Sequence, residues 1–184
     1  MATDGLTVRG RAVGLAVTAA FLAAAAFASP ALACDNATAS AVRAESAQLE
    51  HAVLCLVNAE RSERGLRALR SSTRLERAAA GHARDMVERD YFSHVSLGGR
   101  DVLGRVRAQG YARGGGWRIG ENIAWGTGRY ATPRHIVRMW MNSPGHRRLI
   151  LEGSFDEAGV GMALGAPRRR TRNAGTYVLD FGRD

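Results

Sequence analysis

The sequence predicts one α+β domain, with helices first and an antiparallel hairpin last, placed behind an export signal. Leu49, Val53, Leu56 and Val57, and then Leu75, Ala79, His82 and Met86, recur at the spacing of amphipathic helices. Near the other end Val160, Met162 and Leu164 alternate, as do Tyr177, Leu179 and Phe181, which is the period of strands. At the start, Arg9 and Arg11 precede an apolar, Ala-rich stretch over 12–28 that ends in Ala31-Leu32-Ala33. That order describes a secretory signal peptide over 1–33, cleaved after Ala33, and its apolar stretch is too short to span a membrane.

Composition narrows the function before any motif does. The 184 residues hold 26 Lys+Arg against 17 Asp+Glu, a formal charge of +9, and every one of those cations is arginine. Schiff-base and P-loop lysine chemistry are therefore excluded. Clustered arginine invites a nucleic-acid reading, but export carries the chain away from nucleic acid. Cleavage also removes Arg9, Arg11 and Asp4, two cations against one acid, which lowers the charge from +9 to +8. Most arginines stand beside acids on helical stretches, such as Arg61 with Glu63, and read as solvated surface. Arg168, Arg169, Arg170 and Arg172 form one run, between the two strand segments.

Residues 34–48 are small and polar and read as an arm, and 49–184 as the domain. Two cysteines in an exported chain are expected to pair, so Cys34 and Cys55 would close a loop of about twenty residues, worth roughly 3 kcal/mol. The competing reading is a lipoprotein acylated at Cys34, the first residue after the cleavage point. Gly65 is a C-cap candidate for the first helix. A short helix is expected from Val102 to Gln109, with Asp101 as cap and Gly110 as stop. Thr132-Pro133 and Ser143-Pro144 each read as an N-cap followed by a first-turn proline.

Three polar groups stand out by position. His94 follows the second helix in Tyr91-Phe92-Ser93-His94, Glu121 interrupts the apolar Gly120–Ala124, and His146 lies in the first turn after Ser143. A helix N-terminus disfavours imidazolium, so His146 is expected to be neutral at physiological pH. Two imidazoles and a carboxylate form a donor set for a divalent metal such as zinc, although separations of 27 and 25 residues give no short ligand motif. His82 falls on an apolar stripe and reads as a core histidine, whereas His51 and His135 read as solvated. Ser93 and Ser143 each neighbour a histidine, but no Gly-x-Ser-x-Gly elbow exists, and Ser143 is expected to serve as a cap. Gly114-Gly115-Gly116 is a flexible loop and not a phosphate cradle, because no strand-to-helix junction follows it.

These segments together resemble the bacterial CAP/SCP-domain proteins, the superfamily of cysteine-rich secretory proteins, antigen 5 and pathogenesis-related 1. The resemblance rests on Leu56–Arg61, Tyr91–His94, Gly120–Ala124, Trp140–Arg147, Gly159–Gly161 and Phe181-Gly182, in that order. It implies an α-β-α sandwich whose central cleft, in the family, is lined by two histidines and two glutamates. His94, Glu121 and His146 match three of them, while Ser143 stands where the second glutamate is expected, three residues after Trp140. Such a chain would be an exported, monomeric, non-catalytic module at or beyond the cell envelope, binding a small ligand, a lipid or a divalent metal. A metal-assisted hydrolase of peptide or cell-wall substrates is the rival expectation. An adhesion protein that presents its basic surface to an envelope component is the third.

Overall fold

The computed structural model describes residues 34–169 and 171–184. The expected export signal and Arg170 of the basic run lie outside the described residues. The helices are α1 (Ser46–Ser62), α2 (Thr73–Glu88), α3 (Val102–Ala108), α4 (Pro133–Asn142) and α5 (Pro144–Ile150). The strands are β1 (Arg70–Ser71), β2 (Arg118–Thr127), β3 (Glu157–Leu164) and β4 (Ala174–Arg183). They form one sheet in the order β1-β3-β4-β2, with β1 parallel to β3 and the other pairs antiparallel. The terminal hairpin is therefore β3–β4, as its alternation predicts, and β2 closes the far edge.

Helices cover both faces of this sheet, which makes an α-β-α sandwich. Val160, Met162, Tyr177, Leu179 and Phe181 pack on one face against Leu49, Val53 and Leu56 of α1 and Ile136 and Trp140 of α4. On the other face Ile123, Ala163 and Val178 meet Ala79, Ala83 and Met86 of α2. Glycine lets α2 settle directly on the strands. A Cβ on Gly159 would lie 2.1 Å from the Glu76 nitrogen, and one on Gly161 would lie 2.0 Å from that of Ala80. This explains why β3 alternates apolar residues with glycine and not with polar side chains: both of its faces are covered.

The arm packs down onto the domain. Cys34 and Cys55 are joined by a disulfide, and Ala37 and Ala41 are buried. Its sulfur engaged in that bond, Cys34 has no thiol left for a thioether-linked lipid. The first helix begins at Ser46, three residues ahead of the boundary its apolar stripe marks. No helix among the described residues is long and apolar enough to cross a membrane.

One expectation about charge is corrected. Arg61, which reads from sequence as solvated, is 1% exposed and donates to the carbonyls of Arg67, Ile150 and Glu152 at 2.9, 2.7 and 2.9 Å. Its planar fork satisfies chain ends that no regular element pairs, so burial is offset by charge-assisted hydrogen bonds. Gly65, in the left-handed region at φ 68°, lets the chain turn back just beyond this arginine, with the Leu66 amide donating to the Arg61 carbonyl.

Candidate functional site

The site is built around the edge strand β2. Successive residues of a strand point to opposite faces, so Glu121 and Asn122 serve two different layers. Glu121 shares its face with Ile119 and Ile123, beneath α2 and α3, and is nearly fully buried. Asn122 turns to the other face, where its side-chain amide donates to the His146 carbonyl at 3.1 Å and fixes the start of α5. The loop after α2 brings His94 to Glu121 from the first side.

Glu121 is held by two bonds. The His94 Nδ1–H donates to Oε1 at 2.6 Å, and Arg105 Nη2 donates to Oε2 at 2.5 Å. Arg105 also donates to the carbonyls of His94 and Arg100 at 2.9 and 3.0 Å, so it ties the His94 loop to the same carboxylate. The Arg105 and Glu121 side chains are 7% and 2% exposed, whereas that of His94 is 54% exposed. Burial opposes ionisation of Glu121, but the bond from His94 and the charge of Arg105 outweigh it and hold the carboxyl below its ordinary range. A buried carboxylate thus orients an accessible imidazole and leaves Nε2 free for a partner.

Directly across from Glu121 in the β2–β4 register stands Asp180, which is 0% exposed. Neither of its oxygens meets a donor. Burial, then the negative charge of Glu121, pushes its carboxyl well above the ordinary range, which favours the neutral acid. In that form it can direct its own proton to Glu121.

His146 stands across the strand edge. Its Nδ1 shares a 2.8 Å hydrogen bond with Ser143 Oγ. Ser143 occupies the N-cap position of α5, but its side chain makes no capping bond; the hydroxyl goes to the imidazole instead. Burial, then the charge of His94, pulls the His146 pKa below its ordinary value. The direction is the one expected from sequence, with burial as the largest cause and the neighbouring imidazole second. No carboxylate bonds to His146 among the described residues, so the Ser143–His146 pair lacks the third group that orients a catalytic base.

The three residues singled out from sequence therefore split into a bonded pair, His94 and Glu121, and a neighbour, His146. Among the described residues no group of three or more His, Cys, Asp and Glu converges to hold a metal. Each oxygen of Glu121 accepts a hydrogen bond, which places the carboxylate as the orienting group behind the His94 imidazole. His82 is a core histidine as expected, 1% exposed with Nε2 bonded to the Ser93 carbonyl at 2.9 Å. Arg105 and Asp180 are site residues the sequence did not disclose. Ile119 and Ile123 flank Glu121 on the same face of β2, but the carboxylate between them interrupts the apolar pattern that would mark the strand.

Helices on both faces of one four-stranded sheet make the α-β-α sandwich that the resemblance implies, and the comparisons agree. The chain belongs to the cysteine-rich secretory protein (CAP) family, whose pattern it matches over residues 54–181. It is 37% identical over 126 residues to the uncharacterized protein YkwD of Bacillus subtilis, a match covering 68% of this chain and 46% of that one. It is 36% identical over 118 residues to the uncharacterized membrane protein YlbC of the same organism, covering 61% of this chain and 31% of that one. The chain thus spans less than half the length of either relative. A solved extracellular SCP-domain protein of Bacillus anthracis superimposes with a TM-score of 0.59 and 25% identity, covering 77% of this chain and 44% of that one. An outer surface protein of Borrelia burgdorferi shares the fold, with a TM-score of 0.63 and 20% identity over 76% of this chain and 96% of that one.

Proposed function

We propose that the chain is an exported, non-catalytic CAP module whose cleft between His94 and His146 binds a small ligand outside the cell. The observation that carries this reading is the contrast in burial along one network. Arg105 and Glu121 are sequestered, yet the imidazole they orient is half exposed. Dehydrating two charges to aim one accessible ring is costly as a stability device and makes sense as preorganisation of a binding group. Phe92, Val95 and Leu97 on the same loop are 45%, 46% and 56% exposed, which favours a ligand with an apolar portion, such as a lipid. Export rests on the signal-like residues 1–33 and on the extracellular relative from Bacillus anthracis.

A second reading has one observation in its favour. A neutral His146 opposite a His94 whose Nδ1–H is held by a carboxylate presents two imidazoles suited to a divalent metal, with Glu121 as the orienting group behind one of them. Such an ion would supply Lewis acidity. The test is mass spectrometry of small molecules and metals that co-purify with the protein, run on wild type and His94→Ala and paired with peptidase and cell-wall hydrolase assays. An organic ligand lost in His94→Ala, without turnover, is the expected outcome. Metal-dependent turnover that disappears in His146→Ala would overturn the non-catalytic reading.

A further inference from the structure

A cavity of about 350 Å³ lies on the far side of Arg105 from the cleft, between α2, α3 and the loop that joins them. His94, Glu121 and His146 do not line it. Its wall on α2 includes Arg77, Gly81 and Asp85 at intervals of four residues, continued by Arg89 at the helix end, and Arg100 and Arg105 close the other side. The small residues make the space: a Cβ on Gly81 would meet nothing within 4 Å.

The charges around this cavity do not cancel. Arg105 is matched by Glu121, and Arg89 by Asp85 at 3.4 Å. Asp85 also accepts from the Tyr91 hydroxyl, so its charge is turned partly to the rear wall. Arg77 and Arg100 have no acidic partner among the described residues. His82 also lines the cavity, and burial pushes it toward its neutral form. Two arginines with no acidic partner among the described residues thus line a concave space of the size that holds a small ligand. Guanidinium presents paired donors that match tetrahedral phosphate and planar carboxylate oxygens.

We propose that this groove is an anion site for a phosphomonoester, whose charge of nearly −2 at neutral pH matches the excess carried by Arg77 and Arg100. The site is separate from the His94 cleft, and Arg105 is the wall between them. The groove does not depend on what the cleft binds.

Titration calorimetry of the purified protein at low ionic strength tests the assignment, with glycerol 3-phosphate as probe and succinate as the dicarboxylate comparison. Saturable binding of one glycerol 3-phosphate, weakening with added salt, is expected. Arg77→Gln and Arg100→Gln should each weaken it by about tenfold or more, since each removes a charge-assisted hydrogen bond. Gly81→Glu should abolish it by placing a carboxylate in the groove, and a helical position with open space should accept that side chain without loss of fold. His146→Ala should leave it unchanged, which separates this site from the cleft. The assignment is overturned if no saturable binding occurs, if neither arginine variant weakens it, or if succinate binds as tightly as the phosphate.

Discussion

Arg105→Met is the most informative single perturbation. Methionine keeps much of the apolar stem and removes the charged fork. Glu121 Oε2 then loses its 2.5 Å partner while its side chain remains 2% exposed. Removing one member of a buried pair costs about 3–5 kcal/mol, because the other charge stays uncompensated. The carbonyls of His94 and Arg100, which also lose a donor, lie on exposed residues that water reaches, so they add little. The loss should depend on pH. In the wild type the folded pKa of Glu121 is depressed, so its stabilisation is present above the unfolded value of about 4.3 and fades as pH falls through the folded value. Without Arg105 the bond from His94 is the main group left opposing burial, so the folded pKa rises and the deficit relative to wild type grows with pH above about 4. Urea unfolding followed by tryptophan fluorescence should therefore show a difference of about 3–5 kcal/mol at pH 7 that shrinks at pH 4. Arg105→Lys should recover only part, since a single ammonium cannot reproduce the fork that reaches Glu121 and two carbonyls. A loss below about 1 kcal/mol at pH 7, or one unchanged on acidification, refutes the view that this pair is a dry, charge-compensated unit.

Other expectations follow from single contacts. Replacing both Cys34 and Cys55 by alanine opens a link across a sequence separation of 21 and should lower unfolding free energy by about 3 kcal/mol; a change within error of zero would mean the arm is held by packing alone. Gly161→Ala places a methyl against the α2 backbone and should cost at least about 1–3 kcal/mol in the same assay, unless α2 moves freely away. In His94→Gln, loss of the neighbouring positive charge should raise the His146 pKa toward its ordinary value while burial keeps it below; an unshifted NMR titration of the ring would separate the two imidazoles. Asp180 has a raised folded pKa, so the wild type loses stability as pH climbs from about 3.9 through that value. Asp180→Asn lacks this loss and can still donate to Glu121, so it should gain on the order of 1 kcal/mol relative to wild type by neutral pH; a variant less stable at pH 7 with an unchanged pH slope contradicts a neutral Asp180.

The residues legible in the sequence are those whose neighbours in space are also spaced regularly along the chain. Leu49 to Val57 and Leu75 to Met86 show their helices because one face of each meets the sheet. β3 shows only half its pattern, since its second face is glycine and alanine pressed on α2. β1, two residues long, has no pattern to show, and β2 is masked because Glu121 breaks its apolar run. His94, Glu121 and His146 stand out as polar groups in unusual places, and the family resemblance draws them together. Neither source discloses Arg105 or Asp180, whose meaning depends on contacts 16 residues away and across a strand pair. Arginine is the hardest case, for a buried guanidinium bonded to carbonyls leaves the same letter as a solvated one. Arg61 and Arg105 each satisfy three acceptors at once, a geometry that the ammonium of lysine, a point charge on a flexible stem, does not preorganise. The absence of lysine, which at first excludes only chemistry, therefore has a structural counterpart. At these two positions the fold uses the guanidinium fork itself, one closing the end of α1 and the other tying Glu121 to the His94 loop.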